Sequence, residues 1–389
     1  GHREMPIVEQ LEPCITCHAW NGDRSMIALS PNSNDIHIYS LQPGSAGALK
    51  LTRVWTLREH DALVTGLDWA ASTNRLVSSS QDRNAYVWEL HNNEWKPTLV
   101  ILRLQRAATS VSWSPDETKF AVGSGEKLVA VCYFEEQNNF WVSKHLRKHG
   151  STVTCVSWSP NSLLLATGSA DYRGRIVSAC VRGVDTPGKQ TPFGADPAFG
   201  TVLAEYASSG WVHASAWHPN GTTVAFASHD STVAVVSLLS PEVPLQTIRL
   251  AELPLKALTF LPDGSLVGVG FSYTPLLFRQ QPGAGTYSSG EPIQTGASTS
   301  APEIVASAVS TAMRMFQAQD KAGQEQSVNQ SAKLDSVHQN CVTCVRPFDG
   351  SVGGRAVEFT TTGLDGLLVF WTSDELLSAM QALSFNRTM

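Results

Sequence analysis

The 389-residue sequence predicts an all-β chain, a seven-bladed β-propeller with a helical insertion between blades six and seven. Three observations carry that expectation. A bulky aromatic returns at blade-like intervals, the same succession of turn and strand follows it each time, and a His-to-Asp spacing recurs with hydroxyl residues between.

The aromatic closes an apolar-Thr-x-apolar-x pattern. Ile15-Thr16 leads to Trp20, Val64-Thr65 to Trp69, Ala108-Thr109 to Trp113 and Val153-Thr154 to Trp158. Val212-His213 leads to Trp217 and Leu255-Lys256 to Phe260, and Val342-Thr343 opens a seventh unit with Pro347 at the aromatic position. The intervals are 49, 44, 45, 59, 43 and 87 residues. The short ones match the period of about 40–45 residues of a four-stranded propeller blade.

A Pro-containing turn follows the anchor in several units: Ser114-Pro115-Asp116, Ser159-Pro160-Asn161, His218-Pro219-Asn220 and Leu261-Pro262-Asp263. A small-residue strand comes next, as in Leu76–Ser80, Phe120–Ser124, Leu165–Ser169 and Val224–Ser228. Then comes a polar turn and an alternating strand ending in a bulky residue, from Asp82 to Trp88, Asp171 to Val177, Asp230 to Val236 and Asp365 to Trp371. Short runs bounded by Pro, Gly, Asn and Asp are strands joined by tight turns.

The third observation supplies a buried polar set. In blade two it is His60, Ser78, Asp82 and Trp88; in the last blade His338, Thr361, Asp365 and Trp371; blade four keeps His149, Thr167 and Asp171 but has Val177 for Trp. His60 to Asp82 and His149 to Asp171 are both 22 residues. The Asp can hold the His, the His the hydroxyl, and the hydroxyl the indole N–H, so every buried polar atom is paired; an unpaired one costs about 1–3 kcal/mol. A Ser/Thr-His-Asp grouping also has the composition of a hydrolase triad. Its recurrence in several blades and its mid-strand hydroxyl argue for structure, and no catalytic residue is assigned.

A ring needs a seal, because an open edge strand invites association. Residues around Ile7-Val8-Glu9 are positioned to complete the last blade, and the tail Glu375–Leu383 reads as a short helix. Two stretches interrupt the repeat. Residues 183–210, rich in Gly, Pro, Ala and Thr, read as a loop between blades four and five. Within a single propeller spanning 1–389, residues 279–337 read as an inserted linker carrying a short amphipathic helix over about 302–316. Pro302 suits a first helical turn, Ser300 a cap, and Glu303 the positive end of the helix. Val305, Val309, Ala312, Met313 and Phe316 fall on one apolar stripe. That stripe either folds back on the propeller wall or is offered to a partner groove.

Composition narrows the function classes. The net charge is −6 and only 16% of residues are charged, which does not point to nucleic acid. No apolar run approaches the roughly 18 residues of a membrane span, and the opening residues have no apolar core of a secretory leader. Seven cysteines, an odd number, read as reduced thiols. Cys14-x-x-Cys17 and Cys341-x-x-Cys344 have zinc-like spacing, but both lie in strand-like segments, where positions i and i+3 face opposite ways. No metal or cofactor is expected, and His18, His213 and His218 read as structural or surface residues. Arg103 and Arg106 beside blade three, with Lys144, Arg147 and Lys148 before blade four, are candidates to attract acidic segments or simply a solvated edge.

The repeat resembles the WD-repeat propellers, although the Trp-Asp dipeptide is absent and Trp88 and Trp371 are followed by Glu89 and Thr372. Beyond the repeat, Ile15–Asn21, Asp82–Trp88, Trp95–Leu102, Lys119–Gly125, Val131–Glu135, Trp141–His145, Trp211–His213, Ser228–Val233, His338–Asn340 and Thr361–Gly366 resemble the propeller-subunit family (subunit 1, p40-type) of the actin-related-protein two/three complex, the branched-actin nucleator. The departures fall in 183–210, 279–300 and at Met315.

The resemblance implies a non-catalytic scaffold in the cytoplasmic actin cytoskeleton, in branched networks or cortical patches. Its implied partners are actin-related proteins two and three, other non-actin subunits, actin filaments and nucleation-promoting factors, with no nucleic acid and no membrane insertion. Val305, Val309, Met313 and Phe316 would be the contact residues of the insert helix, which aligns on Thr311–Phe316. The basic residues named above would meet acidic activator tails. A generic propeller adaptor, such as a ubiquitin-ligase substrate receptor or a signalling scaffold, would share the same ring. A propeller enzyme would need polar groups converging on the central channel, and neither a phosphate-binding Gly loop nor clustered His ligands are present in the sequence.

Overall fold

The computed structural model describes residues 6–43, 49–239, 246–281, 285–293, 334, 336–352 and 354–372. Within them the chain folds into seven four-stranded antiparallel sheets. Blade one is Cys17–Trp20, Met26–Ser30, Ile36–Pro43 and Leu49–Leu57; blade two is Val64–Trp69, Leu76–Ser80, Ala85–His91 and Glu94–Val100. Blades three and five follow the same plan, as do blades four and six with the changes described below. The anchor aromatics Trp20, Trp69, Trp113, Trp158, Trp217 and Phe260 each end an innermost strand. The small-residue runs are the second strands, where close neighbours on both faces leave little room for large side chains.

The second position of the innermost strand is special. Register slips by one residue there in blades two to seven, at Thr65, Thr109, Thr154, His213, Lys256 and Thr343. A bulge bends the strand and turns its extra side chain away from the ladder. Thr109 Oγ1 donates to Val153 O of the next blade at 2.6 Å and Thr343 Oγ1 to Ile15 O at 2.8 Å. The threonines of blades three, four and seven are therefore inter-blade bonds, whereas Thr65 bonds Ser79 O within its own blade.

Hydrophobic cores lie between neighbouring blades. One joins blades one and two through Ile38, Trp69, Trp88 and Trp95, and the others repeat this around the ring as far as the core of blades seven and one, built on Trp20, Phe348 and Phe370. Each blade thus buries both faces against its neighbours. The first described strand, Ile7–Gln10, completes blade seven by pairing with Leu367–Thr372, with Ile7 opposite Phe370 and Gln10 opposite Leu367. Both ends of the described chain meet in one sheet, with Ile7–Gln10 as the outermost strand of blade seven.

Two placements differ from the sequence reading. The stretch 183–210 is not a loop between blades four and five. It lies inside blade four, between the third strand Arg173–Ser178 and the fourth strand Val202–Ala207, and carries a small hairpin, Gln190–Thr191 with Gly194–Ala195. The start of the second insertion belongs to blade six: Glu291–Pro292 is its fourth strand, opposite Leu276 and Leu277, and Tyr287 and Ile293 are buried. The segment 302–316 with Val305, Val309, Met313 and Phe316, and the tail 375–383, lie outside the described residues.

Candidate functional site

The recurring polar sets come first, because they decide which polar residues remain for function. In blade two, His60 Nδ1 is 2.7 Å from Asp82 Oδ2 and His60 Nε2 is 2.7 Å from Ser78 Oγ. The carboxylate can only accept, so Nδ1 carries the proton and Nε2 accepts from the Ser78 hydroxyl. Ser78 Oγ in turn accepts from Trp88 Nε1 at 2.9 Å. Burial lowers the His60 pKa, with Asp82 pulling the other way, and the ring is neutral. Blade seven repeats the relay: His338 Nδ1 to Asp365 Oδ2 at 3.0 Å, His338 Nε2 to Thr361 Oγ1 at 2.8 Å, and Trp371 Nε1 to Thr361 Oγ1 at 2.9 Å. Burial pushes Asp365 up, but His338 and the main-chain N–H groups of Gln339 and Leu367 outweigh it and hold the carboxyl low. Ser78 and Thr361 are fully buried and bonded on both sides, so neither hydroxyl faces a substrate.

Blade four departs. His149 Nε2 reaches Thr167 Oγ1 at 2.9 Å, but its Nδ1 has no partner. Asp171 instead takes Arg175 at 2.8 Å, and Arg175 Nε binds Glu205 Oε2 of the fourth strand at 2.8 Å. Burial and the nearby Arg175 cation push the His149 pKa down to about 4. The equal spacing of His60–Asp82 and His149–Asp171 therefore carries the turn and the Asp bond to the main chain (Asp61 N at 3.1 Å, Gly150 N at 2.7 Å), but not the His–Asp bond.

Two further buried clusters had no local signal. Where blade one meets blade seven, His18 lies 2.8 Å from Thr362 Oγ1 and 3.0 Å from Thr360 Oγ1, and Trp20 Nε1 donates to Thr360 Oγ1 at 2.9 Å. Burial, then Arg346, drives the His18 pKa well below its usual value. Arg346 itself donates to His18 O and Leu67 O and pairs with Asp68 at 3.1 Å, tying blade seven to blades one and two. Lys119 of blade three is fully buried; its ammonium meets both Asp185 oxygens at 2.5 Å, Ser162 O at 3.0 Å and Ala179 O at 3.2 Å, above the Trp158 ring. Asp185 belongs to the blade-four insertion, so this pair clamps the insertion onto blades three and four.

The five basic candidates do not form one patch. Neighbours along a strand face opposite ways, and Lys144 and His145 show the consequence. His145 Nε2 donates to Leu102 O of blade two at 2.9 Å, while Lys144 leans over Phe199 of the blade-four insertion, 4.7 Å from the ring centre. Arg147 joins the first side, 3.2 Å from His145 Nδ1 and 3.7 Å from Glu126. Arg106 lies next to Gly125 and Glu126, and Arg103 follows Leu102 in a left-handed turn with φ 56°. Arg103, Arg106 and Arg147 thus share the blade two–three side. Lys148 is exposed in the loop entering blade four. Lys144, with Arg182, Asp196 and Phe199, lines a cleft of about 520 Å³ between blade three and the insertion.

All seven cysteines are free thiols, and burial raises the Cys17 thiol to about 12, so it is protonated and a poor metal ligand. Cys344 Sγ is 3.7 Å from His18 O. Among the described residues no three His, Cys, Asp or Glu side chains gather as a metal site, and no helix is long and apolar enough to cross a membrane.

Comparison with known proteins adds a different kind of information. The repeat family described as "WD domain, G-beta repeat" matches residues 51–89, 141–177 and 200–237. These windows run from the outer strand of one blade through the third strand of the next. "Actin-related protein 2/3 complex subunit 1A-B" of Xenopus laevis is 40% identical over 377 residues, 96% of this chain and 97% of its own length. "Actin-related protein 2/3 complex subunit 1" of Schizosaccharomyces pombe is 41% identical over 370 residues, 91% of this chain and 96% of its own. "Actin-related protein 2/3 complex subunit 1B" of Arabidopsis thaliana is 38% identical over 374 residues, 95% of this chain and 97% of its own.

Proposed function

The chain belongs to the family of subunit 1 of the actin-related protein 2/3 complex, and from that membership we propose that it is the propeller subunit of such a complex and works in the actin cytoskeleton as a non-catalytic scaffold. The observation that carries this reading is the near full-length similarity to proteins of that name from an animal, a plant and a fungus. The ring supports it: its His-hydroxyl-Asp sets are spent on internal hydrogen bonds, and inter-blade cores make it a rigid body suited to holding neighbours in fixed relation.

The finer reading names contacts. Other subunits, including actin-related proteins two and three, pack on the ring. Val305, Val309, Met313 and Phe316 of the segment 302–316 present an apolar stripe to an actin-type surface, because an amphipathic helix suits an apolar groove. Acidic tails of nucleation-promoting factors meet cations of the blade two–three side, Arg103, Arg106 and Arg147, or Lys144 in the adjoining cleft, with Lys148 at the entry to blade four. The setting is the cytoplasm, in branched networks or cortical patches.

The experiment is add-back to extract depleted of the endogenous subunit. The full chain should restore branched nucleation. A chain lacking residues 300–318 should still assemble, since no described blade uses those residues, but should restore branching poorly. Normal branching by the deletion would overturn the role of the segment. Failure of the full chain to enter any complex with actin-related proteins would overturn the reading as a whole and leave a generic propeller adaptor.

A further inference from the structure

The connection between the third and fourth strands is far longer in blade four, from Ser178 to Val202, than in blade two, from His91 to Glu94. This insertion and blade three enclose the cleft of about 520 Å³, a volume suited to one small organic molecule. Bonds from the blades fix its walls. Asp185 is held by the fully buried Lys119 and by Val181 N at 2.6 Å, Pro197 O accepts from Ser178 Oγ at 2.7 Å, and Asp196 Oδ2 accepts from Gly188 N at 2.8 Å. A buried ion pair is a poor source of stability, because apolar residues of similar volume often do as well or better. The Lys119–Asp185 pair supplies position instead, and the element that it positions is the wall of the cleft.

The arginines of blade four fall into two kinds. Arg173 and Arg175 both pair with Glu205, and Arg175 also pairs with Asp171. Arg182, exposed on the cleft, makes neither an ion pair nor a side-chain hydrogen bond among the described residues. Lys144, exposed on the blade-three side of the same cleft, has its ammonium 4.7 Å from the centre of the Phe199 ring and pairs with no acid among the described residues. The acids of the cleft do not answer these charges. Asp185 is neutralised by Lys119, and Asp196 is bonded to Gly188 N and pairs with neither cation. Burial, then Asp185, raise the Cys180 thiol, so it adds no negative charge at neutral pH. Two cations therefore face one carboxylate, beside the apolar surface of Pro187, Pro197 and Phe199.

A largely preformed concave site with an apolar wall and a few polar groups is the usual form of a small-molecule site. We propose that this cleft binds a small phosphate ester carrying a flat apolar ring. The phosphate sits between Arg182, whose planar fork can donate two parallel hydrogen bonds to it, and Lys144, which acts as a point charge. The ring lies against Pro187 and Pro197. Two cations match the charge of a phosphate monoester, close to −2 at neutral pH, and Asp196 disfavours a ligand with further acidic groups. The inference goes beyond the function proposed above, because its ligand is a small molecule and its main cation, Arg182, lies outside the set of Arg103, Arg106, Arg147, Lys144 and Lys148.

The test titrates the full chain into para-trifluoromethylphenyl phosphate and follows the fluorine NMR line. Controls are the uncharged para-trifluoromethylphenol and the cationic para-trifluoromethylbenzylammonium. The phosphate should bind saturably, with a Kd below about 1 mM, and at least tenfold more tightly than either control. Arg182→Gln should weaken it about tenfold and Lys144→Gln a few-fold. Ala198→Trp, which places an indole in the cleft, should abolish binding, while an Arg103→Ala/Arg106→Ala pair should leave it unchanged. Arg182, Lys144 and Ala198 are all exposed, so their variants should melt at the wild-type temperature. Unlabelled phenyl phosphate should displace the probe, inorganic phosphate only at a much higher concentration, and an all-Glu peptide not at all. Absence of saturable binding, equal binding of the phenol, indifference to Arg182→Gln and Ala198→Trp, or displacement by the all-Glu peptide as readily as by phenyl phosphate would overturn the proposal. Each of these results would leave the scaffold reading standing, since that reading is tested by assembly.

Discussion

Blades two and four carry the same His-to-Asp spacing and end with different bonding. In blade two the residue opposite the hydroxyl is Tyr86, whose ring packs edge-on against His60 with centroids 4.9 Å apart, and the indole of Trp88 caps Ser78. In blade four the same two positions are Arg175 and Val177. Valine removes the indole donor, and the Arg175 cation, 6% exposed, draws Asp171 away from His149. The turn survives because its Asp still binds the main chain. The polar relay does not survive, because it depends on what stands across the strand. Blade four holds its place by other means: Arg175 bridges to Glu205 in the fourth strand, and Lys119 clamps Asp185 at the start of the insertion.

The sharpest way to break this comparison is Lys119→Met. It leaves the Asp185 carboxylate buried without its cation, and losing one member of a buried pair costs about 3–5 kcal/mol. Chemical denaturation should show that loss, and adding Asp185→Leu should recover most of it. A single variant within about 0.5 kcal/mol of wild type would mean that the clamp does not hold the insertion. Next in size is Asp82→Ala, which strips a buried His60 N–H and the Asp61 N–H of their acceptor, for about 2–3 kcal/mol. Asp171→Ala should cost less, about 1–2 kcal/mol, because His149 has no bond to lose and Arg175 keeps Glu205. Equal losses in the two blades would contradict the assigned bonding.

Arg175→Tyr sharpens the comparison by giving blade four the blade-two residue. Asp171 should then turn to His149, and the imidazole pKa should rise from about 4 as the carboxylate stabilises the imidazolium. Histidine NMR titration reads this directly, and an unmoved resonance would show that Arg175 is not what holds Asp171. The smallest effect is on acid stability. His149 is depressed in the folded chain, so the unfolded chain binds its proton first. Its contribution to stability is complete above about pH 6.5 and is lost as pH falls toward about 4. His149→Gln should remove about one proton from the pH dependence of stability in that window. A slope unchanged by the substitution would contradict the buried, neutral imidazole.

The same contrast explains what could be read from the sequence. The blade anchors and the closing strand near Ile7 were legible because strand alternation and turn residues are local signals. The position of the first insertion was not. Its Gly and Pro content hides the strand Val202–Ala207, which pairs with Arg173–Val177 across the insertion. The fourth strand of blade six, Glu291–Pro292, is too short to leave a pattern. His18 and its threonines stand 342 and 344 residues apart and meet only when the ring closes. Arg175 was a missed signal, since an arginine opposite a buried hydroxyl announces competition for the nearby Asp. The basic candidates separated because Lys144 and His145 alternate across a strand, a geometry that a list of cations conceals.

The function rests on assembly, so the most direct measurement is native mass spectrometry of the tagged full chain purified from its own cells. The account predicts one copy of the chain in a stoichiometric complex that contains two actin-related proteins. A monomer, or a complex built on other proteins without them, would contradict it.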